Sequence, residues 1–382
     1  MLYDVAVIGA GVFGAWTAYR LRQTGQRVIL LDAYGAGNSR SSSGGESRII
    51  RMGYGADEIY TRSAMRSLLL WQEFGEQTGR LVFHKTGVLW TAPGADAYAV
   101  ATRHTLGRCG VKFELLGAWE LTSRFPQMRF APDVLGIFEP ESGALMARRA
   151  VAAVVAEAQR AGVTWARESA IAPAGSGALS VLRTVAGTEI RAGAYVFACG
   201  AWLPRLFPEL LGKRIEPTRQ EVFFFGTPPG GTAYQAPAMP VWIDFSDPRG
   251  PYGFPDLENR GVKIALDQHG PRTDPETGDR IPSAAALAAA RDCLTRRFPA
   301  LANGPLLETR VCQYENTSNG DFLIDRHPDF SNVWLAGGGS GHGFKHGPAV
   351  GEYLAAILLE TRLPEPRYSL LTKLETHNRT VY

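Results

Sequence analysis

The chain opens with short apolar runs that alternate with amphipathic stretches. The first run is "DVAVIGAG", which is rich in valine and isoleucine, ends in glycine and predicts a buried parallel strand. Helical spacing of apolar residues follows in "VFGAWTAYRLRQTG", where Gly25 is a stop signal. The next apolar run, "RVILLD", predicts a second buried strand. These residues together predict a β-α-β unit at the start of the chain.

The same two patterns continue along the chain. Helical spacing predicts helices in "EIYTRSAMRSLLLWQEFGEQTG", "ARRAVAAVVAEAQRAG" and "SAAALAAARDCLTRRFP", and Ser283 is the N-cap of the last one. Apolar runs predict strands in "GVLWTA", "VTWARES", "AYVFACGAW" and "NVWLAGG". Residues 219–270 are instead rich in aromatic residues, prolines and turns, which predicts an antiparallel sheet. We therefore expect an α/β protein with a Rossmann-like domain and a second, α+β domain.

The composition is that of an ordinary globular protein. The 382 residues are 45% hydrophobic and 20% charged, and this length suggests two domains. The net charge is +3, with both signs mixed along the chain, so we expect neither nucleic acid nor a membrane as a partner. No uninterrupted apolar run approaches the ~20 residues of a membrane-spanning helix.

The cysteines and histidines indicate neither a metal site nor a disulfide framework. Four cysteines, Cys109, Cys199, Cys293 and Cys312, lie far apart without a CxxC pair, and reduced thiols in a cytoplasm fit them best. The pair His342 and His346 has no nearby cysteine or acid, so we expect no metal. The start, "MLYDVAVIGAG", lacks the basic region of a signal peptide. We therefore expect a cytoplasmic protein.

The first turn carries a dinucleotide-binding signature. Gly9, Gly11 and Gly14 form G-x-G-x-x-G between a strand and a helix, and Asp32 ends the second strand, where an acid binds a ribose. The motif alone does not choose between NAD and FAD. The chain closes with a second glycine-rich strand, loop and helix, "GGGSGHGFKHGPAVGEYLAAILLE". A flavin must be gripped far from its adenine, so this return of the chain favours FAD.

Several longer segments resemble one family. "SSSGGESRIIRMGYG", "YGFP", "GVKIA", "CQYENTSNGDFLID" and "GSGHGFKHGPAVGE" are together similar to the monomeric sarcosine oxidase and N-methyltryptophan oxidase family of FAD-dependent amine oxidases, which also includes pipecolate oxidase. The resemblance covers essentially the whole chain, in order. It implies an FAD-binding domain made of residues 1–80, 145–215 and 308–382, and a substrate-binding domain made of 81–144 and 216–307.

The resemblance implies a covalent flavin and a set of residues around it. Cys312 would carry the flavin through a thioether to the 8-methyl group of the ring. The implied cofactor-binding residues are Gly9, Gly11, Val12, Phe13, Gly14, Asp32, Ser42, Ser43, Arg48, Ile171, Gly200, Trp202, Cys312, Gly339, Gly341, Gly343, Phe344 and Lys345. The helix that begins near Pro348 would point its positive end at flavin N1 and O2.

The resemblance also implies the catalytic residues. Arg51 and Lys345 would grip the carboxylate of the substrate, for which the planar fork of an arginine is suited. Lys263, on the other face of the flavin, would lower the cost of forming superoxide from O2. Tyr252 would line the substrate pocket, and Ile243 would supply an apolar wall.

The sequence departs from the family at two positions that bear on the substrate. The family commonly has a histidine four residues after the oxygen-activating lysine, whereas this chain has Asp267 there and His269 two residues later. Either residue is a candidate for the pocket. "SSSGGE" also lacks the histidine often found upstream of the arginines. Both departures weigh against sarcosine itself and leave the flavin chemistry intact.

The reaction implied is the oxidation of a secondary or cyclic amine that bears a carboxylate. Hydride equivalents would pass to flavin N5, and O2 would reoxidise the flavin and give hydrogen peroxide. The partners would be a small amine and O2, and the family habit implies a monomer. Three alternatives stay open: an amine dehydrogenase of the same fold, a tailoring oxidase that acts on a larger natural product, and a flavin-binding protein without turnover.

Overall fold

The N-terminal β-α-β unit forms as the hydrophobic pattern predicts. The computed structural model describes residues 2–376. It places strand β1 (Leu2–Ile8) beside and parallel to strand β2 (Val28–Leu31), with helix α1 (Val12–Gln23) between them in the chain. Gly9 makes the turn with φ 103°, and a Cβ there would clash with the carbonyl oxygen of Ala198. A glycine is therefore required at this turn.

The remaining elements of residues 2–376 follow in chain order. The helices are α2 (Glu58–Thr78), α3 (Ala97–Arg108), α4 (Ala118–Arg124), α5 (Ala147–Arg160), α6 (Leu203–Leu206), α7 (Pro208–Leu211), α8 (Ala284–Arg297) and α9 (Gly347–Leu358). The strands are β3 (Arg48–Ile50), β4 (Phe83–His84), β5 (Val88–Pro93), β6 (Glu114–Leu116), β7 (Val134–Glu139), β8 (Gly143–Leu145), β9 (Thr164–Ala166), β10 (Leu182–Arg183), β11 (Glu189–Phe197), β12 (Ile215–Phe225), β13 (Val241–Asp244), β14 (Pro251–Phe254), β15 (Val262–Leu266), β16 (Leu306–Thr317), β17 (Leu323–Arg326) and β18 (Val333–Gly337).

One sheet is mainly parallel. Its strand order is β17-β18-β11-β1-β2-β9, with β10 paired to β11, and the pairs from β18 through β9 are parallel. Helix α1 packs against α5 and α9, and the apolar side chains of this layer form a buried core. Buried parallel strands with a helical layer are the Rossmann-like arrangement that the sequence predicts. The carboxyl ends of β1, β2, β11 and β18 meet at one edge of the sheet.

A second sheet is mainly antiparallel. Its order is β16-β12-β15-β14-β13-β5-β7-β6, and residues 219–270 contribute its centre, as expected. One pair was not expected, because β13 runs parallel to β5. A small third sheet has the strand order β3-β8-β4, and its strand β3 begins at Arg48. The predicted fold class, α/β with a Rossmann-like domain and an antiparallel sheet, is confirmed.

The division into domains at residue 308 stays a prediction. The structure pairs β16 with β12 along its whole length, so residues 306–317 belong by hydrogen bonding to the antiparallel sheet. Two helices in the segment 81–144 were also not predicted, namely α3 and α4. The buried face of α3 consists of Ala99, Thr102, Thr105 and Leu106, and this small, partly polar stripe gives little helical signal.

Two absences concern membranes and metals. Across residues 2–376, every helix is too short or too polar to cross a bilayer. The same residues contain no group of three or more His, Cys, Asp or Glu side chains placed to hold a metal ion. All four cysteines are free thiols.

A pair of glycine substitutions tests the close packing at the first turn. A Cβ at Gly14 would clash with the carbonyl oxygen of Gly9, whereas a Cβ at Gly107 in α3 meets nothing within 4 Å. We expect Gly14→Ala to lower the free energy of unfolding by about 2–3 kcal/mol through this overpacking. We expect Gly107→Ala to raise it by up to ~1 kcal/mol, because alanine favours a helix. Urea unfolding measures both, and equal effects would contradict the packing described.

Candidate active site

Two adjoining cavities lie where the parallel and antiparallel sheets meet. About 1250 Å³ of space, partly open to solvent, lies within the larger and about 800 Å³ within the smaller. Arg48, Tyr314, Ser340, Gly341 and Phe344 line both cavities and form their common boundary. The larger cavity lies at the carboxyl ends of the parallel strands, which is where α/β sheets bind nucleotides.

The larger cavity is built around the start of helix α1. Gly11 is the N-cap of this helix, and no side chain caps it. The backbone N–H of Val12 donates to Ser43 Oγ at 3.1 Å, so the serine loop closes over the helix end. A helix N-terminus with a bare glycine cap leaves room and positive partial charge for a phosphate.

Asp32 has a double role in the larger cavity. Its Oδ2 accepts a hydrogen bond from the Ala10 N–H at 2.8 Å, and its Oδ1 accepts from the N–H groups of Tyr34 and Gly35, both at 2.8 Å. The carboxylate lines the cavity and also fixes the glycine turn to the end of β2. This places an acid at the ribose position that the sequence predicts. The glycine wall, the helix end and this acid fit the adenosine and pyrophosphate of FAD.

The smaller cavity brings together the two predicted carboxylate-binding cations. Arg51 and Lys345 both line it, and each is 5% exposed. Lys345 Nζ donates to the Tyr54 hydroxyl at 2.7 Å and to the His342 carbonyl at 3.2 Å. The Arg51 guanidinium lies over the Tyr54 ring, 4.8 Å from its centroid, and 6.0 Å from that of Phe245. Two desolvated cations beside one cavity are suited to an anionic group.

Lys263 lies in the wall formed by the antiparallel sheet. Its Nζ donates to the Ser47 carbonyl at 3.1 Å and lies 4.3 Å from the centroid of Phe254. Burial, followed by the charge of Arg48, lowers the pKa of Lys263 well below its usual range. A negative charge brought next to this amine would oppose that lowering. The charge of Lys263 therefore depends on what the adjoining cavities hold.

The structure distinguishes between Asp267 and His269. Asp267 lines the smaller cavity, and its Oδ1 accepts a hydrogen bond from the Tyr314 hydroxyl at 2.7 Å. His269 does not line this cavity and instead contacts the edge of the Tyr314 ring at 6.2 Å between centroids. Burial raises the pKa of Tyr252 to about 12, and burial followed by Asp267 raises that of Tyr314 well above its usual range. Both phenols are therefore neutral near pH 7.

Cys312 lines the smaller cavity next to Arg48, which lines both cavities. Its Sγ is 3.1 Å from the guanidinium of Arg48, and both residues line the smaller cavity. Arg48 also donates to the carbonyl oxygens of Ser42 and Ser47, so it ties the serine loop to strand β16. This cysteine is half-buried, while Cys199 lies at the end of β11. Burial raises the pKa of the Cys199 thiol far above its usual range.

Most predicted cofactor-binding residues line the larger cavity. They are Gly9, Gly11, Val12, Phe13, Asp32, Ser42, Ser43, Arg48, Gly200, Trp202, Gly339, Gly341, Gly343 and Phe344. Cys312 and Lys345 line the smaller cavity instead, together with the predicted Arg51, Lys263, Tyr252, Asp267 and Ile243. Gly14 lies behind the turn, where it allows the helix to approach Gly9.

Besides Gly14, one further predicted cofactor residue lies outside the two cavities. Ile171 is 49% exposed, whereas its neighbours Ser169 and Ala170 line the larger cavity. The assignment of Ile171 to the cofactor site stays a prediction, and the structure places its neighbour Ala170 in the cavity wall.

Several wall residues were not predicted. Tyr314 and Glu315 lie within "CQYENTSNGDFLID", but the motif alone does not show which of its side chains face a cavity. Glu276 lies in a loop far along the chain, accepts hydrogen bonds from the Tyr34 hydroxyl at 2.5 Å and from Trp202 Nε1 at 2.9 Å, and closes one end of the larger cavity. No local pattern marks such a residue, because the loop acquires its position only through tertiary contacts.

Glu315 is a buried carboxyl in the wall of the larger cavity. Its Oε2 accepts from Ser42 Oγ at 3.2 Å, and its Oε1 accepts from the Gly339 N–H at 3.3 Å. These bonds are long, and burial dominates, so the pKa of Glu315 is raised to about 7. Gly200 has φ 52°, and a Cβ there would lie 2.8 Å from Glu315 Oε2. The glycine thus makes room for the carboxyl.

Comparison with known proteins agrees with this architecture. The family model described as FAD dependent oxidoreductase matches residues 4–357. Monomeric sarcosine oxidase of Bacillus sp. (strain B-0618) is 33% identical over 369 residues, which cover 94% of this chain and 92% of that protein. N-methyl-L-tryptophan oxidase of Salmonella heidelberg (strain SL476) is 29% identical, over 94% and 95% of the two chains. The crystal structure of L-proline dehydrogenase from P. horikoshii superposes with a TM-score of 0.82 at 22% identity, over 96% of each chain.

The chain belongs to the FAD dependent oxidoreductase family. It is an enzyme of the sarcosine oxidase-like group, and the prediction of an FAD-dependent amine oxidoreductase is confirmed at this level. The resemblance that the sequence motifs indicated is confirmed as well.

The buried Glu315 predicts how stability depends on pH. Between pH 4.5 and 7 the folded protein keeps a proton on Glu315 that the unfolded chain releases, so the free energy of unfolding falls as pH rises through this window. The loss amounts to at most about 3 kcal/mol. We expect Glu315→Gln to remove this loss. The free energy of unfolding of the variant minus that of wild type should therefore be larger at pH 8 than at pH 5.

Urea unfolding at pH 5 and pH 8 measures this effect. Glu76 is exposed on α2 and supplies a matched control, since Glu76→Gln should leave the pH dependence unchanged. A Glu315→Gln variant with the pH dependence of wild type would show that this carboxyl is not neutral in the folded protein.

Proposed function

We propose that this enzyme oxidises a secondary or cyclic amine that bears a carboxylate, with O2 as the electron acceptor. The observation that carries the proposal is the convergence of Arg51 and Lys345, both buried, on a cavity that adjoins the glycine-lined cavity. When bound, FAD supplies the two-electron oxidant for the carbon–nitrogen bond and returns the electrons to O2, which gives hydrogen peroxide.

The two cations define one end of the substrate. A guanidinium can bind both oxygens of a carboxylate, and the ammonium of Lys345 adds a further charged hydrogen bond. Tyr54 supports both cations from behind, through its hydroxyl and its ring. This arrangement holds a substrate by its carboxylate and thereby orients the amine. The relatives are named for sarcosine and N-methyl-L-tryptophan, which are both secondary amines with a carboxylate.

The cofactor would be held along the boundary between the cavities. Gly9 to Phe13 and Asp32 would hold the pyrophosphate and the adenosine, and the loop from Gly339 to Phe344 would lie against the ring end. Cys312 would attach the flavin covalently, and the position of its Sγ beside Arg48, which lines both cavities, supports this role. The domain division at residues 80, 145, 215 and 308 belongs to the same proposal.

Lys263 is the residue that we assign to the reaction with O2. It is 2% exposed and is held by a carbonyl and an aromatic face. A cation buried beside the flavin would stabilise the superoxide anion formed by one-electron transfer. Burial lowers the pKa of this amine, and an anion beside it would favour the protonated form.

A second candidate is a tailoring oxidase that acts on a larger amine, and Asp267 favours it. Asp267 is the acid among the residues that line the smaller cavity, where Arg48, Arg51, Lys263 and Lys345 are the cations. Tyr314 occupies one of its oxygens and leaves the other for a donor group. A substrate with an ammonium or hydroxyl on its side chain would use this oxygen. For either candidate, we propose a monomer that acts on small molecules in the cytoplasm.

Acid precipitation tests the covalent link. We expect the yellow colour to stay with the pellet of the wild-type protein and to leave the pellet of Cys312→Ala, because a thioether survives denaturation and a non-covalent flavin does not. Absorbance of the pellet and the supernatant measures this. Cys293→Ala is the matched control, since Cys293 lies buried in another core region. Flavin in the wild-type supernatant would mean that Cys312 is structural.

Amine oxidation tests the carboxylate-binding role of Arg51. We expect wild type to oxidise an N-methyl amino acid with a kcat/KM at least about 100-fold above that of its carboxamide, in which the carboxylate is replaced by a neutral amide. The reason is that a charged bidentate pair contributes about 3 kcal/mol or more. Arg51→Ala should abolish most of this preference. Arg160→Ala, which changes an exposed arginine on α5, should leave it intact. The rate of hydrogen peroxide formation is measured for all three proteins with both compounds.

The same assay decides between the two candidates. N-methyl amino acids with apolar, hydroxyl, ammonium and carboxylate side chains form the panel. Faster turnover of the apolar members supports a small amino acid substrate, while a preference for hydroxyl or ammonium side chains that Asp267→Ala removes supports the larger substrate. Equal rates for N-methyl amino acids and for their carboxamides would reject the proposal that the substrate is held by its carboxylate.

A further inference from the structure

Tyr54 is the common support of the two substrate-binding cations. It is fully buried, and it does not itself line the smaller cavity. Its hydroxyl lies 2.7 Å from Lys345 Nζ, and its ring lies under the guanidinium of Arg51. A shift of this side chain would therefore displace both cations together. The residues that hold Tyr54 in place determine how well the cavity accepts a carboxylate.

The direction of the hydrogen bonds at Tyr54 follows from the chemistry of its partners. The ammonium of Lys345 can only donate, so the Tyr54 oxygen accepts at this contact. The hydroxyl proton of Tyr54 then points to another acceptor. His346 Nε2 lies 2.8 Å from the Tyr54 oxygen, and His342 Nδ1 lies 3.4 Å from it. The shorter distance makes His346 the better acceptor.

His346 is arranged to accept a hydrogen bond from the Tyr54 hydroxyl. Its Nδ1 lies 2.9 Å from Ser63 Oγ on α2, and a proton on Nδ1 leaves the lone pair on Nε2 for Tyr54. The residue is 0% exposed, and burial followed by the charges of Lys345 and Arg51 lowers the pKa of His346 well below its usual range. A neutral imidazole has one donor and one acceptor nitrogen. The hydrogen bonds thus form a chain in which Lys345 donates to Tyr54, Tyr54 donates to His346, and His346 donates to Ser63.

Helix α2 fixes the loop that carries His346. Lys345 and His346 lie in a 3-10 turn, Phe344–His346, directly before α9. Trp71 Nε1 donates to the Lys345 carbonyl at 3.1 Å, and Ser67 Oγ accepts from the Ala349 N–H at 3.3 Å. Adjacent residues of the turn can therefore face different partners, the lysine towards the cavity and the histidine towards α2.

We propose that His346 is a positioning residue that holds the Tyr54 hydroxyl oxygen against Lys345, so that Lys345 and Arg51 together bind the carboxylate of the substrate. This inference rests on the proposed function, because it assigns a support to the same pair of cations. The role belongs to His346 through Tyr54, and His346 does not contact the substrate.

The test compares His346→Leu and His346→Gln in the flavin-containing protein. Leucine removes the acceptor, while the amide of glutamine can accept from Tyr54 and donate to Ser63. The probes are acetate and acetamide, which have the same shape and differ in charge, and their dissociation constants are read from the change in flavin absorbance. The KM and kcat of the best N-methyl amino acid from the amine panel are measured alongside.

We expect His346→Leu to weaken acetate binding about tenfold and to leave acetamide binding unchanged. KM should rise by a similar factor while kcat changes less than twofold, and His346→Gln should stay within threefold of wild type. A merely structural loss would weaken both probes and lower the flavin content. Ser63→Ala is a milder variant that keeps the imidazole, and it should weaken acetate binding by about two- to threefold.

A double-mutant cycle with Tyr54→Phe tests whether His346 acts through Tyr54. We expect Tyr54→Phe/His346→Leu to bind acetate as weakly as Tyr54→Phe alone, because the second change removes a partner that is already lost. Additive effects, or equal weakening of acetate and acetamide by His346→Leu, would overturn the inference and leave the proposed function standing. A wild-type protein that does not distinguish acetate from acetamide would instead overturn the carboxylate site itself.

Discussion

The close approach of α1 and α9 is the constraint on which the rest of the structure depends. Glycines make this approach possible. A Cβ at Gly351 would lie 2.7 Å from the backbone carbon of Trp16, and one at Gly347 would clash with Val12. The contact joins the start of the chain to its end. It therefore brings the glycine turn after β1 and the loop after β18 to the same cavity, and any larger side chain here would separate the two walls.

The site is built from basic side chains that are buried before any substrate is present. Arg51 lies on the face of Tyr54, Lys345 donates to the same tyrosine, and Lys263 donates to a backbone carbonyl beside Phe254. Aromatic faces and carbonyl oxygens stabilise a desolvated cation less than water or a carboxylate does. An anion that enters the cavities recovers part of this cost. The low pKa of Lys263 and of His346 is a consequence of the same burial.

Neutral polar groups complete the walls. Tyr252 and Tyr314 keep their protons because burial raises the pKa of both phenols, and burial favours a protonated Glu315 in the same way. His346 is neutral for the corresponding reason, since burial opposes the charged form of a base. The ionisable acids and strong bases that line the smaller cavity are thus Asp267, the arginines and the lysines, while Asp32 and Glu276 line the larger cavity. This separation of charged and neutral groups suits a cavity that must bind a carboxylate and leave an amine uncharged.

The sequence by itself determined many of the helices and strands, and most of the glycines that line the larger cavity. Period and composition suffice for β1, α1, β2 and α9, since a buried strand or helix is specified by residues near one another in the chain. The motif glycines and Asp32 follow from the same local geometry. The pairing of Arg51 with Lys345 follows from the family resemblance of their motifs, and the structure brings the two side chains to the same cavity. The contact between Tyr54 and Lys345 was not visible in the sequence, because the two residues are 291 positions apart.

Only the tertiary structure decided which side chains face the cavities. Ala170 rather than Ile171 lines the larger cavity, and Asp267 rather than His269 lines the smaller one. Neither choice follows from local pattern, because both segments lie outside the named strands and their orientation depends on the contacts that they make with distant parts of the chain. The roles of Glu315, Glu276 and His346 likewise arise from contacts between distant segments. Local pattern carries no information about such contacts, because they form only when the sheets and α2 have packed around the glycine loops.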